Sequence, residues 1–158
     1  MKEAFQTMNK KIIIGLMLLT ALLVVSCSGN KNNETSGAAT YELAGNDYII
    51  PADQITDQMQ IFEYDAKGTT VRFIVVRGSD GEIRTAYNAC DVCGGAKGYR
   101  QEGHDIVCNN CGKSFQINGL GTQNKGYGCW PSFLSHKEEN GNIVLDTAEL
   151  EVGAYRFA

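Results

Sequence analysis

Cys90-Asp91-Val92-Cys93-Gly94 and Cys108-Asn109-Asn110-Cys111-Gly112 are one five-residue pattern, CxxCG, written twice with fourteen residues between Cys93 and Cys108. A tight turn through such a stretch puts its two thiols on one side. The glycine after the second cysteine accepts a left-handed backbone that lets amides point at sulfur. Two such knuckles facing each other make a four-sulfur cage from Cys90, Cys93, Cys108 and Cys111. Between them, Tyr99 to Glu102, Gly103-His104 and Asp105 to Val107 read as a small hairpin that brings the knuckles together. Nine of the eighteen glycines fall within residues 94–128. Glycine adds no side-chain burial and loses the most backbone entropy on folding, so this stretch needs another source of order, and the cysteines supply it.

Spacing alone does not select the metal. Four thiolates suit zinc, a single iron or an iron-sulfur cluster, because all take soft ligands in near-tetrahedral geometry. A zinc staple without redox function and a pair of disulfides are the alternatives that would leave the site purely structural. Pairing everything in disulfides is awkward, since five cysteines follow Cys27 and Cys129 would be left over. Cys129 lies in Gly126-Tyr127-Gly128-Cys129-Trp130-Pro131, a loop able to fold back over the site; it stands open as an accessory ligand, a redox-active thiol or a buried bystander.

Lys10 and Lys11 precede an apolar run from Ile12 to Val25, shorter than the roughly 20 residues a spanning helix requires. The run ends in Val24-Val25-Ser26-Cys27. We read residues 1–26 as a lipoprotein signal peptide with a lipobox-like end, and Cys27 as the lipidated residue of an extracytoplasmic, membrane-anchored lipoprotein. An uncleaved signal anchor is the alternative. Residues 27–40, without a large apolar side chain, read as a flexible tether, and 41–158 as a single metal-binding β domain. The whole chain carries a net charge of -4. Without residues 1–26, which hold three lysines and one glutamate, eleven positive and seventeen negative side chains remain, net -6. That balance argues against a nucleic-acid binder driven by phosphate neutralisation, and no nucleic-acid partner is expected.

The folded part reads as all-β. Met59 to Asp65 and Thr69 to Arg77 are rich in branched and aromatic residues with Lys67-Gly68 between them, and Val71, Phe73 and Val75 share one face. Gly78 to Gly81 turns the chain into Ile83 to Tyr87. Asn140-Gly141 turns it into Asn142 to Leu145, and Glu149 to Phe157 is expected as a last strand. The one helix expected is short, around Ala52 to Gln58.

The stretch from Asn88 to Pro131, with its paired CxxCG knuckles, GYRQEG hairpin and later Gly-Cys-x-Pro, resembles the FtrD-like family of membrane-associated iron-sulfur proteins. The resemblance runs from about Tyr41 to the C terminus. It implies an iron-sulfur cluster or iron on Cys90, Cys93, Cys108 and Cys111, and a membrane redox or iron-transport protein as partner. Cys111-Gly112-Lys113-Ser114-Phe115 is also similar to the second ligand loop of Rieske domains, with Cys93 and Cys111 where a Rieske site has histidines. The expected fold is therefore small antiparallel sheets carrying two CxxCG knuckle loops in a Rieske-like or rubredoxin-like arrangement.

His104 falls at the hairpin tip as a solvated turn residue, and His136 is expected on the surface. Trp130 and Phe133 are expected as core, or as cover keeping water off the metal. No nucleophile-base pair, telling carboxylate pair or phosphate-binding glycine loop is present, so catalysis has no support in the sequence.

Overall fold

The structure is a computed structural model that describes residues 39–94 and 96–158. The signal peptide, Cys27 and all but the last two tether residues lie outside the described residues. Among the described residues, ten strands form three antiparallel sheets. The first has the order β1 (Glu42–Ala44), β2 (Asp47–Pro51), β10 (Asn142–Asp146), β9 (Lys137–Glu139). The second is β3 (Gln60–Ala66), β4 (Thr69–Arg77), β5 (Ile83–Tyr87). The third is β6 (Tyr99–Glu102), β7 (Asp105–Cys108), β8 (Ser114–Gln116), and it holds the second knuckle. All pairings are antiparallel.

Two hairpins close on two-residue turns in which both residues have positive φ, Lys67 (55°) with Gly68 (93°) and Asn140 (52°) with Gly141 (76°). That geometry matches the right-handed twist of the flanking strands. The register it sets in β4 is decisive. Val71, Phe73 and Val75 enter one apolar cluster with Tyr48, Ile50, Phe62, Ile143, Leu145 and Leu150, whereas Ile74 and Val76 enter another with Cys90, Tyr99, Ile106 and Cys108. Because successive side chains of a strand point to opposite faces, β4 is a wall between two cores. The first is purely structural, and the second wraps the cysteines. Ala39, inside the stretch expected as tether, already packs into the first core.

Residues 147–157 correct the expected last strand. Thr147–Gly153 is an α-helix, α1, continued by a 3-10 turn over Ala154–Arg156. Asp146 caps it, its carboxylate accepting the N–H of Ala148 at 2.8 Å. The buried positions are Thr147, Leu150 and Gly153, a spacing of three, while Val152 stands 74% exposed. The short helix expected near Ala52 is a 3-10 turn over Ala52–Gln54.

Candidate metal centre

Strand β5 feeds the first knuckle through Asn88, a buried residue whose backbone N–H donates to the Arg72 carbonyl (2.9 Å) and whose side-chain oxygen accepts the Tyr99 N–H (2.7 Å). The start of the knuckle is thus fixed to both the second and third sheets. Within it, the Cys93 N–H donates to the Cys90 sulfur at 3.2 Å, and Gly94 takes a φ of 64°. The second knuckle leaves the end of β7. The Gly112 N–H donates to the Cys108 carbonyl (2.9 Å), the Cys108 N–H donates to the Lys113 carbonyl (3.0 Å), and Gly112 has a φ of 73°. Both glycines occupy the left-handed region that a side chain rarely accepts, the reason the pattern carries glycine after its second cysteine. The x residues of the second knuckle reach back: the Asn110 side-chain amide donates to the Cys93 carbonyl of the first knuckle (3.2 Å), and that of Asn109 donates to the Lys97 carbonyl in the segment that follows it (3.0 Å).

These constraints bring five thiols together. Cys93 Sγ lies 3.9 Å from Cys108 Sγ, 3.8 Å from Cys111 Sγ and 3.6 Å from Cys129 Sγ, and Cys111 and Cys129 are 3.7 Å apart. Cys90, Cys93 and Cys129 form one set of mutually close sulfurs, and Cys93, Cys108 and Cys111 a second. All five are free thiols, so the disulfide alternative is not realised among the described residues. Cys108 and Cys90 are buried, Cys93 and Cys129 half-buried, and Cys111 exposed.

Sequence reasoning left Cys129 undecided; its placement follows from Ser132. The Ser132 N–H donates to the Ala89 carbonyl (3.2 Å), the Tyr87 N–H donates to the Ser132 carbonyl (2.8 Å), and the Ser132 hydroxyl donates to Asp91 (3.1 Å). The returning chain is pinned beside the first knuckle three residues after Cys129. Asp91 has a second task that the sequence did not signal. It pairs with Arg156 at 3.0 Å, both side chains largely buried, while the Arg156 guanidinium stacks on Tyr87 (4.6 Å) and Tyr155 (4.4 Å). The turn after α1 therefore holds the first knuckle from behind.

The histidines take no part in the sulfur sets. His104 is exposed in the β6–β7 turn, and His136, expected on the surface, is half-buried. The Thr85 hydroxyl donates to the Leu134 carbonyl (2.8 Å), so its one proton is committed and His136 Nδ1 must donate to it at 2.8 Å. Trp130 and Phe133 are each half-buried. Trp130 donates its indole N–H to the Gly126 carbonyl at 3.2 Å, which closes the Cys129 loop.

Electrostatics separates the thiols. The Lys113 N–H donating to sulfur is the chief reason that Cys111 is held down to about 7. Cys93, sharing a hydrogen bond first with Cys90 and then with Cys129, is pushed up. Burial works to raise Cys90, but the N–H groups of Cys93 and Val92 outweigh it and the thiol is lowered. Sulfurs this close cannot all ionise without a cation among them, since each thiolate disfavours the next. In metal-free protein at pH 7, the Cys111 thiolate is populated roughly tenfold above an ordinary cysteine, so iodoacetamide should modify Cys111 first. Peptide mass spectrometry reads the order, and first labelling at Cys93 would contradict it.

The donor set fits a soft metal. A tetrahedral ion with metal-sulfur bonds of about 2.3 Å needs sulfur-sulfur edges of about 3.8 Å, and four separations match at 3.6–3.9 Å, two between knuckle cysteines (Cys93–Cys108, Cys93–Cys111) and two that involve Cys129. The model of FtrD-like membrane iron-sulfur containing proteins matches residues 55–157, which span the second and third sheets, both knuckles and the Cys129 loop. The chain belongs to this FtrD-like family. No curated protein matches it. Among solved structures, a quaternary ammonium Rieske monooxygenase, CntA, crystallised with an inhibitor, is similar at 17% identity and a TM-score of 0.37. The match covers 59% of this chain and 29% of that one. The family is one of membrane-associated iron-sulfur proteins; this member is built mostly of strands in small antiparallel sheets and carries a cysteine group able to bind metal.

Proposed function

We propose that this FtrD-like protein is a lipid-anchored, extracytoplasmic electron-transfer or iron-handling protein that serves a membrane partner. The observation that carries this reading is the convergence of two CxxCG knuckles on one sulfur group within the matched family region. Cys90, Cys93, Cys108 and Cys111 would hold the iron or iron-sulfur centre, with Cys129 as an accessory thiol. When bound, such a centre supplies one-electron chemistry at a potential set by its ligands and their hydrogen bonds. The chain's own contribution is to hold the sulfurs, to cover Cys90 and Cys108 with the second core, and to leave Cys111 exposed on one side. That exposed side is where a partner can approach closely. Cys27 would tether the domain by lipid at the membrane where that partner resides.

A zinc-stapled interaction module without redox function is the second reading, favoured by the same sulfur separations. Protein purified without air from cells decides between them by metal analysis and an optical spectrum. The electron-transfer reading expects iron in at least equimolar amount and a visible band that bleaches with dithionite. Colourless, zinc-loaded protein defeats it. Membrane attachment is read on the full chain, where Cys27→Ala should release the protein into the soluble fraction; continued attachment favours an uncleaved anchor.

A further inference from the structure

Tyr99 carries a buried hydroxyl without a hydrogen-bond partner, one of two orphaned side-chain atoms among the described residues. The other, the amide oxygen of Gln60, lies on β3. Tyr99 is only 3% exposed and opens β6, directly opposite Cys108 on β7, in the core cluster that contains Cys90 and Cys108. Its ring is held edge-on by Phe115, with centroids 6.3 Å apart, and its backbone by Asn88. Cys90 and Cys108 are buried in the same cluster, and Cys129 packs against it. A phenol is protonated at neutral pH, so the hydroxyl retains a proton to donate. A buried donor is seldom left unsatisfied, and the side chains of its cluster that can accept are the cysteines.

We infer that the Tyr99 hydroxyl is a tuning group of the metal centre, donating a hydrogen bond to a ligand thiolate of its cluster, Cys90 or Cys108, and thereby raising the centre's reduction potential. The sign follows from charge. Reduction adds an electron to an already anionic sulfur-metal unit, and a donor aimed at sulfur stabilises the more negative state more strongly. The potential shift rests on the redox reading proposed above; the hydrogen bond to sulfur does not.

Tyr99→Phe tests it, because the ring and its contact with Phe115 are kept while the proton is lost. In the metal-loaded protein, metal content should equal that of the parent, and the reduction equilibrium should weaken about tenfold, a fall of about 59 mV for one electron. An unchanged potential at full metal content overturns the inference. A second readout does not depend on the native metal being redox-active. With cobalt(II) in the site, the sulfur-to-metal charge-transfer band should move to lower energy in Tyr99→Phe, because an unbonded thiolate is the easier electron donor. Coincident cobalt spectra overturn the assignment even if the native metal is zinc. A shifted cobalt band in a protein that carries zinc would sustain the hydrogen bond and defeat only the electron-transfer reading.

Discussion

Cys93→Ser should abolish metal binding and release the third sheet from the rest of the domain. Its sulfur is the shared vertex of the group, within 3.9 Å of three other thiols and common to both sulfur sets. Loss of a ligand should exceed the roughly 10–100-fold that outer-shell changes cost in affinity. Where a site supplies the order, metal binding energy is folding energy, about 10–16 kcal/mol in small zinc domains against a total stability of about 5–15 kcal/mol for an ordinary one. The first core contains no cysteine and should survive as a β signal in circular dichroism. Residues 88–131 should open instead, and trypsin should cut the variant at Lys97, Arg100, Lys113 or Lys125 under conditions that leave the metal-loaded parent intact. Cys129→Ser is the comparison. If the two knuckles suffice for coordination, it keeps one equivalent of metal with about tenfold weaker affinity; a loss as complete as that of Cys93→Ser would make Cys129 an obligatory ligand.

The part of this arrangement that the sequence made legible is the part set by local chemistry. The knuckles and their glycines, the Lys67-Gly68 and Asn140-Gly141 turns and the β6–β7 hairpin each depend on a few adjacent residues, whose conformational preferences are strong. The position of Cys129 depends on Ser132 bonding to Tyr87, Ala89 and Asp91, contacts some forty residues back along the chain that no spacing announces. The same holds for the Asp91–Arg156 pair, formed across 65 residues, and for the burial of His136 against Thr85. Residues 147–157 failed for a different reason. Branched and aromatic side chains at Val152, Tyr155 and Phe157 imitate a strand, although Asp146 followed by Ala148-Glu149-Leu150-Glu151 is an N-cap and a run of helix formers. The cap was the stronger signal. It fixes backbone direction at one point, whereas a short run of branched and aromatic residues fits either period.

The division of β4 between two cores yields the other large effect. Phe73 is fully buried in the first core, stacked on Phe62 with centroids 5.7 Å apart and edge-on to Tyr48 at 5.1 Å. Phe73→Ala should cost about 3–5 kcal/mol through lost burial and the cavity left behind, a large share of the stability of a domain this size. Ile74, its neighbour in sequence, is equally buried but faces the second core with Cys90 and Cys108. Ile74→Ala should cost about 2–5 kcal/mol by the same mechanism. The two variants should part in what they do to the metal. Urea unfolding of each, followed in parallel by circular dichroism and by the metal's optical band, separates them. Phe73→Ala lowers the global midpoint while the metal spectrum in native buffer stays that of the parent, because the missing ring lies on the far face of the strand. In Ile74→Ala the cavity opens beside the buried sulfurs, so the metal should leave before the first core unfolds and chelator should strip it faster at low denaturant. Identical metal-release rates in the two variants would mean that the cores move as one body and that β4 transmits packing strain across its two faces instead of separating them.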